Sequence, residues 1–166
     1  MTLRARSHPA PDLVVAVSSD RVRAARHETT RRLAEAARMV LRAEKVRAAL
    51  ISVSLVSQAR IAALNFSHLH RRGPTDVIAF GLTAAASTRR GRRALVVGDV
   101  YIAAVVARDN ARRLGISMRE ELLRLVVHGV LHVLGYDHPD GESRERSAMW
   151  RRQETLVQRA LKTRPT

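Results

Sequence analysis

Residues 128–138 read HGVLHVLGYDH, and His128, His132 and His138 stand at the first, fifth and eleventh positions of this stretch. On a helix, residues four apart project from one face a single turn apart, which suits two imidazole nitrogens each about 2 Å from one metal ion. Gly135 can end the helix in the left-handed conformation and turn the chain back, so that His138 becomes a third ligand. The spacing predicts one divalent metal per chain, with zinc as the preferred ion.

The helix that carries these histidines has a clear start signal and a largely apolar body. Ser117 and Glu120 form a capping-box pattern ahead of it. The apolar residues that follow lie nearly all round the helix, which predicts burial on most sides. A buried imidazole needs either a hydrogen-bond partner or a metal, so two satisfied core histidines beside an unrelated surface histidine are the alternative to a metal site. The apolar residues are Leu122, Leu123, Leu125, Val126, Val127, Val130, Leu131, Val133 and Leu134.

Gly129 marks a departure from a well-known zinc-hydrolase pattern. The histidine spacing matches H-E-x-x-H-x-x-G-x-x-H, but Gly129 stands where the glutamate would be. That glutamate is the general base of the peptidases, so its absence argues against ordinary metallopeptidase catalysis. A glycine inside a helix costs about 1 kcal/mol relative to alanine, and we therefore expect substrate or another element to approach closely there. A simple packing need is the alternative.

Composition and charge favour an RNA partner. The chain has 30 lysines and arginines, nearly all of them arginine, against 15 aspartates and glutamates, for a formal net charge of +15. Arginine binds phosphate through a flat fork and stacks on exposed bases. The alternative to an RNA-binding surface is that the arginines only lie on the solvent-exposed faces of helices. With no cysteine, disulfides and thiolate ligands are excluded. Neither a secretory signal nor a membrane span is expected, and the chain is compatible with a cytoplasmic location.

The pattern of elements predicts an α+β fold, a small mixed β-sheet of about four strands flanked by helices, with the metal site at the end of a buried helix. A length of 166 residues suits one domain, which we expect over residues 11–166 after a poorly ordered leader at 1–10. Strands are expected near residues 13–17, 50–55, 76–81 and 94–102, and helices from about residue 28 and near 57–65, 103–114, 117–134 and 142–161.

A polar loop of small residues is expected between the last two strands, over residues 83–93. It ends in four arginines, which could follow a phosphate backbone, but a solvated loop is at least as reasonable an interpretation. The four are Arg89, Arg90, Arg92 and Arg93.

At this point the chain resembles a known family. The HGVLHVLGYDH segment is similar to the signature of the YbeY family, described as single-strand-specific, metal-dependent endoribonucleases of ribosomal-RNA maturation. Leu64-Asn65 followed by residues 74–80 (PTDVIAF) resembles a second family pattern, and residues 98–102 (GDVYI) resemble a third. The resemblance runs from about Val53 to Leu161, including Met149 and Gln153-Glu154.

The resemblance implies a zinc-dependent endoribonuclease acting in maturation and quality control of ribosomal RNA, including processing of the small-subunit 3′ end. It implies RNA, the ribosome, and a ribosomal-protein or assembly-GTPase as partners. His128, His132 and His138 would be the catalytic metal ligands. Asp137 could either accept a proton or orient the adjacent histidine.

Two departures from the family pattern bear on catalysis. Leu69 occupies the position of an arginine thought to assist cleavage, and Ala79 replaces a serine. Arg71 and Arg72 lie close by and could bind RNA, but a shifted guanidinium is not the same group, since bidentate phosphate contacts depend on its position. Two other functions stay open: a non-catalytic ribosome-assembly factor with a structural metal, and another metallohydrolase, such as a peptidase, with a base from elsewhere in the fold.

Overall fold

Helices and strands alternate through most of the chain. The computed structural model describes residues 13–20, 27–82, 95–139 and 141–163. The elements are β1 (Leu13–Ser19), α1 (His27–Ala43), β2 (Ala49–Val56), α2 (Gln58–Leu69), β3 (Val77–Gly81), β4 (Val96–Ala103), α3 (Ala104–Leu114), α4 (Met118–Val133), a 3-10 helix (Gly141–Arg146) and α5 (Ala148–Lys162).

The four strands form one mixed sheet in the order β1-β2-β4-β3. β1 pairs with β2 in parallel, β2 pairs with β4 in parallel, and β3 pairs with β4 in antiparallel orientation. Parallel neighbours need a crossover connection, which α1 supplies between β1 and β2. The predicted α+β class with a small mixed sheet is therefore confirmed.

Helix α4 is the centre of the core. It contacts α1, α3, α5, β3 and β4. Of its side chains, those from Leu125 to Leu131 are buried in an unbroken run, which confirms the burial expected from its apolar sequence. A smaller apolar cluster lies beneath α2, formed by Val56, Ile61, Ile78 and Ala103.

Two glycines let α4 lie close to β4. A Cβ atom on Gly129 would stand 2.5 Å from Cγ1 of Val100, and one on Gly98 would stand 2.4 Å from Cγ1 of Val133. Both distances are far shorter than a carbon–carbon contact, so neither position accepts a side chain without movement of the backbone or its neighbour. The close approach expected at Gly129 is confirmed, and the approaching element is the sheet. A glutamate there would meet Val100.

The structure differs from two of the predicted helices. α2 continues to Leu69 instead of ending near Asn65, because no glycine or proline interrupts it; it ends where His70 takes a left-handed conformation (φ 53°). The helix predicted over 142–161 is two elements, the 3-10 helix and α5. The hydroxyl of Ser147 caps α5 by accepting the backbone N–H of Trp150, and a residue that caps a helix cannot also lie within it.

The expected leader at residues 1–10 and the loop arginines Arg89, Arg90, Arg92 and Arg93 lie outside the described residues. Among the helices that the structure does describe, none combines the length and apolar character required to cross a membrane.

Candidate metal centre

The end of α4 brings the third histidine back toward the first two. Gly135 has φ 90°, a conformation that favours glycine. Its N–H donates to the carbonyl of His132, and the N–H of Tyr136 donates to that of Leu131. This arrangement closes the helix with a glycine in the left-handed conformation, as predicted from Gly135, and directs His138 across the helix end.

The three histidines form one cluster. The Nε2 atoms of His128 and His132 are 3.0 Å apart. The ring centroids of His138 lie 5.2 Å from those of His128 and 5.1 Å from those of His132. One ring nitrogen from each histidine lies within 4.8 Å of the others. The structure thus brings together the three residues that the sequence singled out.

Hydrogen bonds to Nδ1 orient each ring. Nδ1 of His128 lies 2.7 Å from Oε1 of Gln153, Nδ1 of His132 lies 2.9 Å from the carbonyl of Tyr136, and Nδ1 of His138 lies 3.1 Å from the carbonyl of Pro139. Because all three partners are oxygen acceptors, the proton of each neutral ring belongs on Nδ1. Each Nε2 then presents a lone pair to the cluster.

This donor set fits a divalent metal such as zinc. Three neutral imidazoles, each fixed by an oxygen acceptor on its other nitrogen, are a common arrangement around catalytic zinc. Nε2 of His138 is buried and has no hydrogen-bond partner, a costly state for a polar atom that metal binding would relieve.

Burial favours the neutral, metal-binding form of two of the histidines. Desolvation lowers the pKa of His128 from its ordinary 6.5 to about 4, and the hydrogen bond that His128 donates to Gln153 partly opposes this shift. Desolvation also lowers the pKa of His132, and the nearby charge of His138 adds to this effect. The positive charge of Arg144 lowers the pKa of both groups. At neutral pH, therefore, neither ring needs to lose a proton to bind a metal.

Gln153 supports the centre from α5. Its side chain is 2 % exposed, and its Nε2 donates to Oε1 of Glu154. The resemblance included Gln153, but no role in the site was predicted for it. The sequence did contain a signal for this role, because Gln153 is the polar residue on the buried face of α5. The other buried residues of that face are Met149, Leu156, Val157 and Ala160.

The histidines line an open cleft of about 1080 Å³. The segment that follows α2 forms another part of its wall. In this wall Asn65 is buried, and its Nδ2 donates to the carbonyl of Gly73, which anchors the turn that carries Arg71 and Arg72. The cleft is lined by Asn65, Leu69, Arg71, Arg72, Pro74, Thr75, Asp76, Val77, Ile78, Ala79, His128, His132, Gly135, Tyr136, Asp137, His138, Pro139 and Arg144.

Several predicted residues meet at this cleft. Arg71 and Arg72 are exposed on its wall, as the predicted RNA contact requires. Asp137 is exposed, and its Oδ1 accepts the backbone N–H of His138 at 2.8 Å, so its carboxylate stabilises the turn that carries this ligand. Leu69, at the position of the family arginine, is 47 % exposed and extends an apolar side chain here.

Arg144 is a cleft residue that sequence reasoning missed. It lies on the 3-10 helix after His138, its guanidinium is 5.6 Å from the ring centroid of Trp150, and it lines the same cleft as the histidines. No spacing rule connects it to the histidine pattern, because the chain between them forms a turn and a 3-10 helix whose course depends on tertiary packing.

Comparison with known proteins agrees with the sequence motifs. The family model of endoribonuclease YbeY matches residues 15–161. The chain is 38 % identical over 133 residues to endoribonuclease YbeY of Pelotomaculum thermopropionicum, covering 80 % of this chain and 86 % of the relative. It is 40 % identical over 112 residues to endoribonuclease YbeY of Thermobifida fusca, covering 66 % and 72 %.

A solved structure has a similar fold. The solution structure of a Thermotoga maritima protein superposes with a TM-score of 0.58 at 25 % sequence identity and covers 89 % of both chains. Together, the mixed sheet, the histidine cluster at the end of a buried helix, and these matches define the class. The chain belongs to the endoribonuclease YbeY family, which confirms the resemblance seen in its motifs.

Proposed function

We propose that this protein is a zinc-dependent, single-strand-specific endoribonuclease that acts in maturation and quality control of ribosomal RNA, including the small-subunit 3′ end. The observation that carries the proposal is the convergence of three Nε2 lone pairs in a cleft that is open to solvent and bordered by arginines. Family membership supports RNA as the substrate class. From the resemblance of the motifs, the proposal extends to the ribosome, a ribosomal protein or an assembly GTPase as partners and to a cytoplasmic location.

The residues of the cleft have distinct tasks in this proposal. His128, His132 and His138 hold the ion through Nε2. Bound zinc would supply a Lewis acid and would make water a stronger acid at neutral pH. Arg71 and Arg72, which line the same cleft, bind phosphates of the RNA strand, and the carboxylate of Asp137 is available at the cleft to accept a proton.

The histidine centre gives less support to a peptidase. The peptidase pattern needs its glutamate next to the first histidine, and here Gly129 is packed against Val100 of β4. A base would have to come from another part of the chain. A non-catalytic assembly factor would use the same three ligands, and it differs from an enzyme in having no turnover.

One experiment separates these functions. Protein with a measured zinc content is incubated with single-stranded RNA, duplex RNA and a denatured protein substrate, with His132→Ala as the matched control. We expect cleavage of single-stranded RNA alone, its loss on chelation, and its return with added zinc. Cleavage of the protein substrate would favour the peptidase. RNA binding without cleavage would favour the assembly factor, and equal cleavage by His132→Ala would identify a contaminating nuclease.

RNA binding is expected to fall steeply with salt, because arginines that contact phosphates release counterions. Arg71→Gln/Arg72→Gln tests the described wall of the cleft, and joint replacement of Arg89, Arg90, Arg92 and Arg93 by glutamine tests the loop. Affinity that does not depend on salt would contradict the electrostatic proposal. If the loop variant binds RNA as tightly as wild type does, RNA binding would be assigned to the cleft.

A further inference from the structure

Arg144 stands out among the arginines of the described chain by what surrounds its guanidinium. Its Nε is buried and has no hydrogen-bond partner. A buried donor without an acceptor costs free energy, and the cost is larger for a charged group. The structure therefore keeps an N–H group desolvated at the edge of the cleft that holds the histidines.

Three other partly buried arginines are paired with carboxylates, namely Arg32, Arg124 and Arg152, and of these Arg124 also has a buried Nε without a hydrogen bond. A fourth, Arg38, donates to the backbone carbonyl of Val15. Arg152 forms an ion pair with Glu44 at 2.7 Å, and Arg32 forms one with Glu28 at 2.9 Å. Among the side chains that the structure describes, no carboxylate forms such a pair with Arg144. The positive charge of Arg144 is thus available to a negatively charged group that enters the cleft.

Trp150 holds the guanidinium of Arg144 in position. The Cζ atom lies 5.6 Å from the centroid of the Trp150 ring, within the range of a cation–π contact. Trp150 itself is fixed in the first turn of α5, where its backbone N–H donates to the hydroxyl of Ser147. An arginine fixed in this way loses less conformational freedom when it binds an oxyanion than a mobile surface arginine does.

The route of the chain links this arginine to the metal ligands. The 3-10 helix that carries Arg144 follows His138, and α5, which follows directly, carries Gln153, the hydrogen-bond partner of His128. Arg144 is thus held between two segments that also position ligands, and it lines the same cleft as Arg71 and Arg72.

We infer that Arg144 binds a phosphate group of the RNA strand beside the histidine centre through its guanidinium. The inference rests on the proposed function, because it takes RNA as the ligand of this cleft. A phosphodiester has the geometry to accept two N–H groups of one guanidinium. Together with Arg71 and Arg72 of the same cleft, Arg144 would fix the strand beside the metal ligands, which makes it a substrate-binding residue.

The test compares wild type with Arg144→Gln, Arg144→Lys and Arg146→Gln. Arg146 is the matched control because it lies on the same 3-10 helix, is exposed, and does not line the cleft. Zinc content is measured first. Binding of the zinc-loaded proteins to a single-stranded 2′-O-methyl RNA is then measured over a range of salt concentrations, and cleavage of the unmodified RNA of the same sequence is measured in parallel.

We expect Arg144→Gln to retain its zinc, to bind RNA about ten- to a hundredfold more weakly, and to cleave at least tenfold more slowly at subsaturating RNA. Its plot of log affinity against log salt should be less steep by about 0.7, the value for one phosphate contact on a single strand. Arg144→Lys should fall between Arg144→Gln and wild type, because lysine keeps the charge and loses the fork. Arg146→Gln should stay within about threefold of wild type.

Two results would overturn the inference: equal RNA affinity for Arg144→Gln and Arg146→Gln, or loss of zinc from Arg144→Gln, since the second would make Arg144 a support of the histidines. If wild type binds RNA in an Arg144-dependent way but cleaves none, the proposed enzymatic function fails and the inference stands. If wild type cleaves RNA and the Arg144 variants match it, the function stands and the inference fails.

Discussion

The two ends of α4 carry polar side chains in very different surroundings. Near its start, Glu121 is buried among partners from its own chain, and we call Asp76, Asn110, Glu121 and Arg124 the acidic cluster. Near its end, His128 and His132 are each tied to the chain through one ring nitrogen and turn the other toward a cleft. Both groups interrupt an otherwise apolar helix, so polarity on a buried helix does not by itself indicate function.

The acidic cluster is closed, because its charges pair with other side chains of the protein. Besides Glu121, Arg124 pairs with Glu120 and with Glu154, whose Oε1 also accepts the side-chain N–H of Gln153. The side-chain amide of Asn110 donates to Oδ2 of Asp76 at 3.2 Å and to Oε1 of Glu121 at 3.3 Å. The two buried atoms of the cluster that lack a hydrogen bond, Oε2 of Glu121 and Nε of Arg124, face each other at 3.8 Å. Opposite charges at this distance compensate each other. The cluster joins β3, α3 and α4, so its role is to hold those elements together.

The histidine centre is open by comparison. Nε2 of His138 is buried and has no hydrogen-bond partner. The ring nitrogens of His128 and His132 that share its cluster are also hydrogen-bond acceptors, so they cannot donate a proton to it. The two groups therefore differ in what surrounds their buried polar atoms that lack a hydrogen bond. Where they pair with each other, the group is structural, and where like acceptors converge, the chain itself cannot satisfy them and a ligand is required.

The largest effect is expected from removing one of the three metal-binding histidines. His132→Ala should reduce zinc from about one ion per chain to a small fraction and abolish RNA cleavage, because two remaining imidazoles leave an incomplete site. Elemental analysis of purified protein checks the first part. His70→Asn is the control, since it changes another histidine at a left-handed position that asparagine tolerates. Full zinc retention in single alanine variants of all three ligands would contradict the metal centre.

A substitution that disrupts the acidic cluster should reduce the stability of the fold and leave the metal in place. Arg124→Leu removes the cation that faces buried Glu121, which should lower the free energy of unfolding by about 3 kcal/mol. Denaturant unfolding measures this change, and zinc content should stay near one per chain. If stability were unchanged and zinc were lost, the roles assigned to the two clusters would be reversed.

The two ends should also respond to pH in opposite directions when the metal is removed. The folded pKa of His128 is about 4 against an ordinary 6.5, so the unfolded chain takes up this proton first as the pH falls. His128 therefore costs stability as pH drops below 6.5, reaching about 3 kcal/mol near pH 4. Burial raises the pKa of Glu121 above 4.5, so Glu121 costs stability as pH rises above that value.

Unfolding of chelator-treated protein between pH 4 and 7 checks both signs. Relative to wild type, His128→Gln should gain stability as the pH is lowered below 6.5, and Glu121→Gln should gain stability as the pH is raised above 4.5. Parallel pH profiles for wild type and both variants would show that neither buried group titrates as its surroundings require.

The smallest of these effects is expected at Gln153, the α5 residue that accepts a hydrogen bond from His128 of the metal centre. Gln153→Leu leaves Nδ1 of His128 without its acceptor, which removes the bond that fixes the ring and its tautomer. Zinc affinity should fall about ten- to a hundredfold, as is typical when a partner of a metal-binding histidine is lost. Competition with a chelator of known affinity measures it. Thr155→Leu, at an exposed position of the same helix, is the control.

The sequence determined the histidine centre almost completely. The spacing of His128, His132 and His138 and the glycine at 135 depend on one helix and its end, and such local geometry follows from nearby residues alone. The mixed sheet was also predictable, because the order of apolar segments and turn residues limits the possible architectures. The resemblance in the motifs identified the family.

The tertiary structure alone decided what surrounds those ligands. That Gly129 faces Val100, that Gln153 fixes His128, and that Arg144 reaches the same cleft as Arg71 all depend on contacts between elements far apart in the chain. The packing of α4 against β4 and α5 sets these distances, and no periodicity within one segment encodes them. Local spacing and local carbonyl groups therefore specified the ligands and oriented His132 and His138, while long-range packing determined which nitrogen of His128 is free and which charges border the cleft.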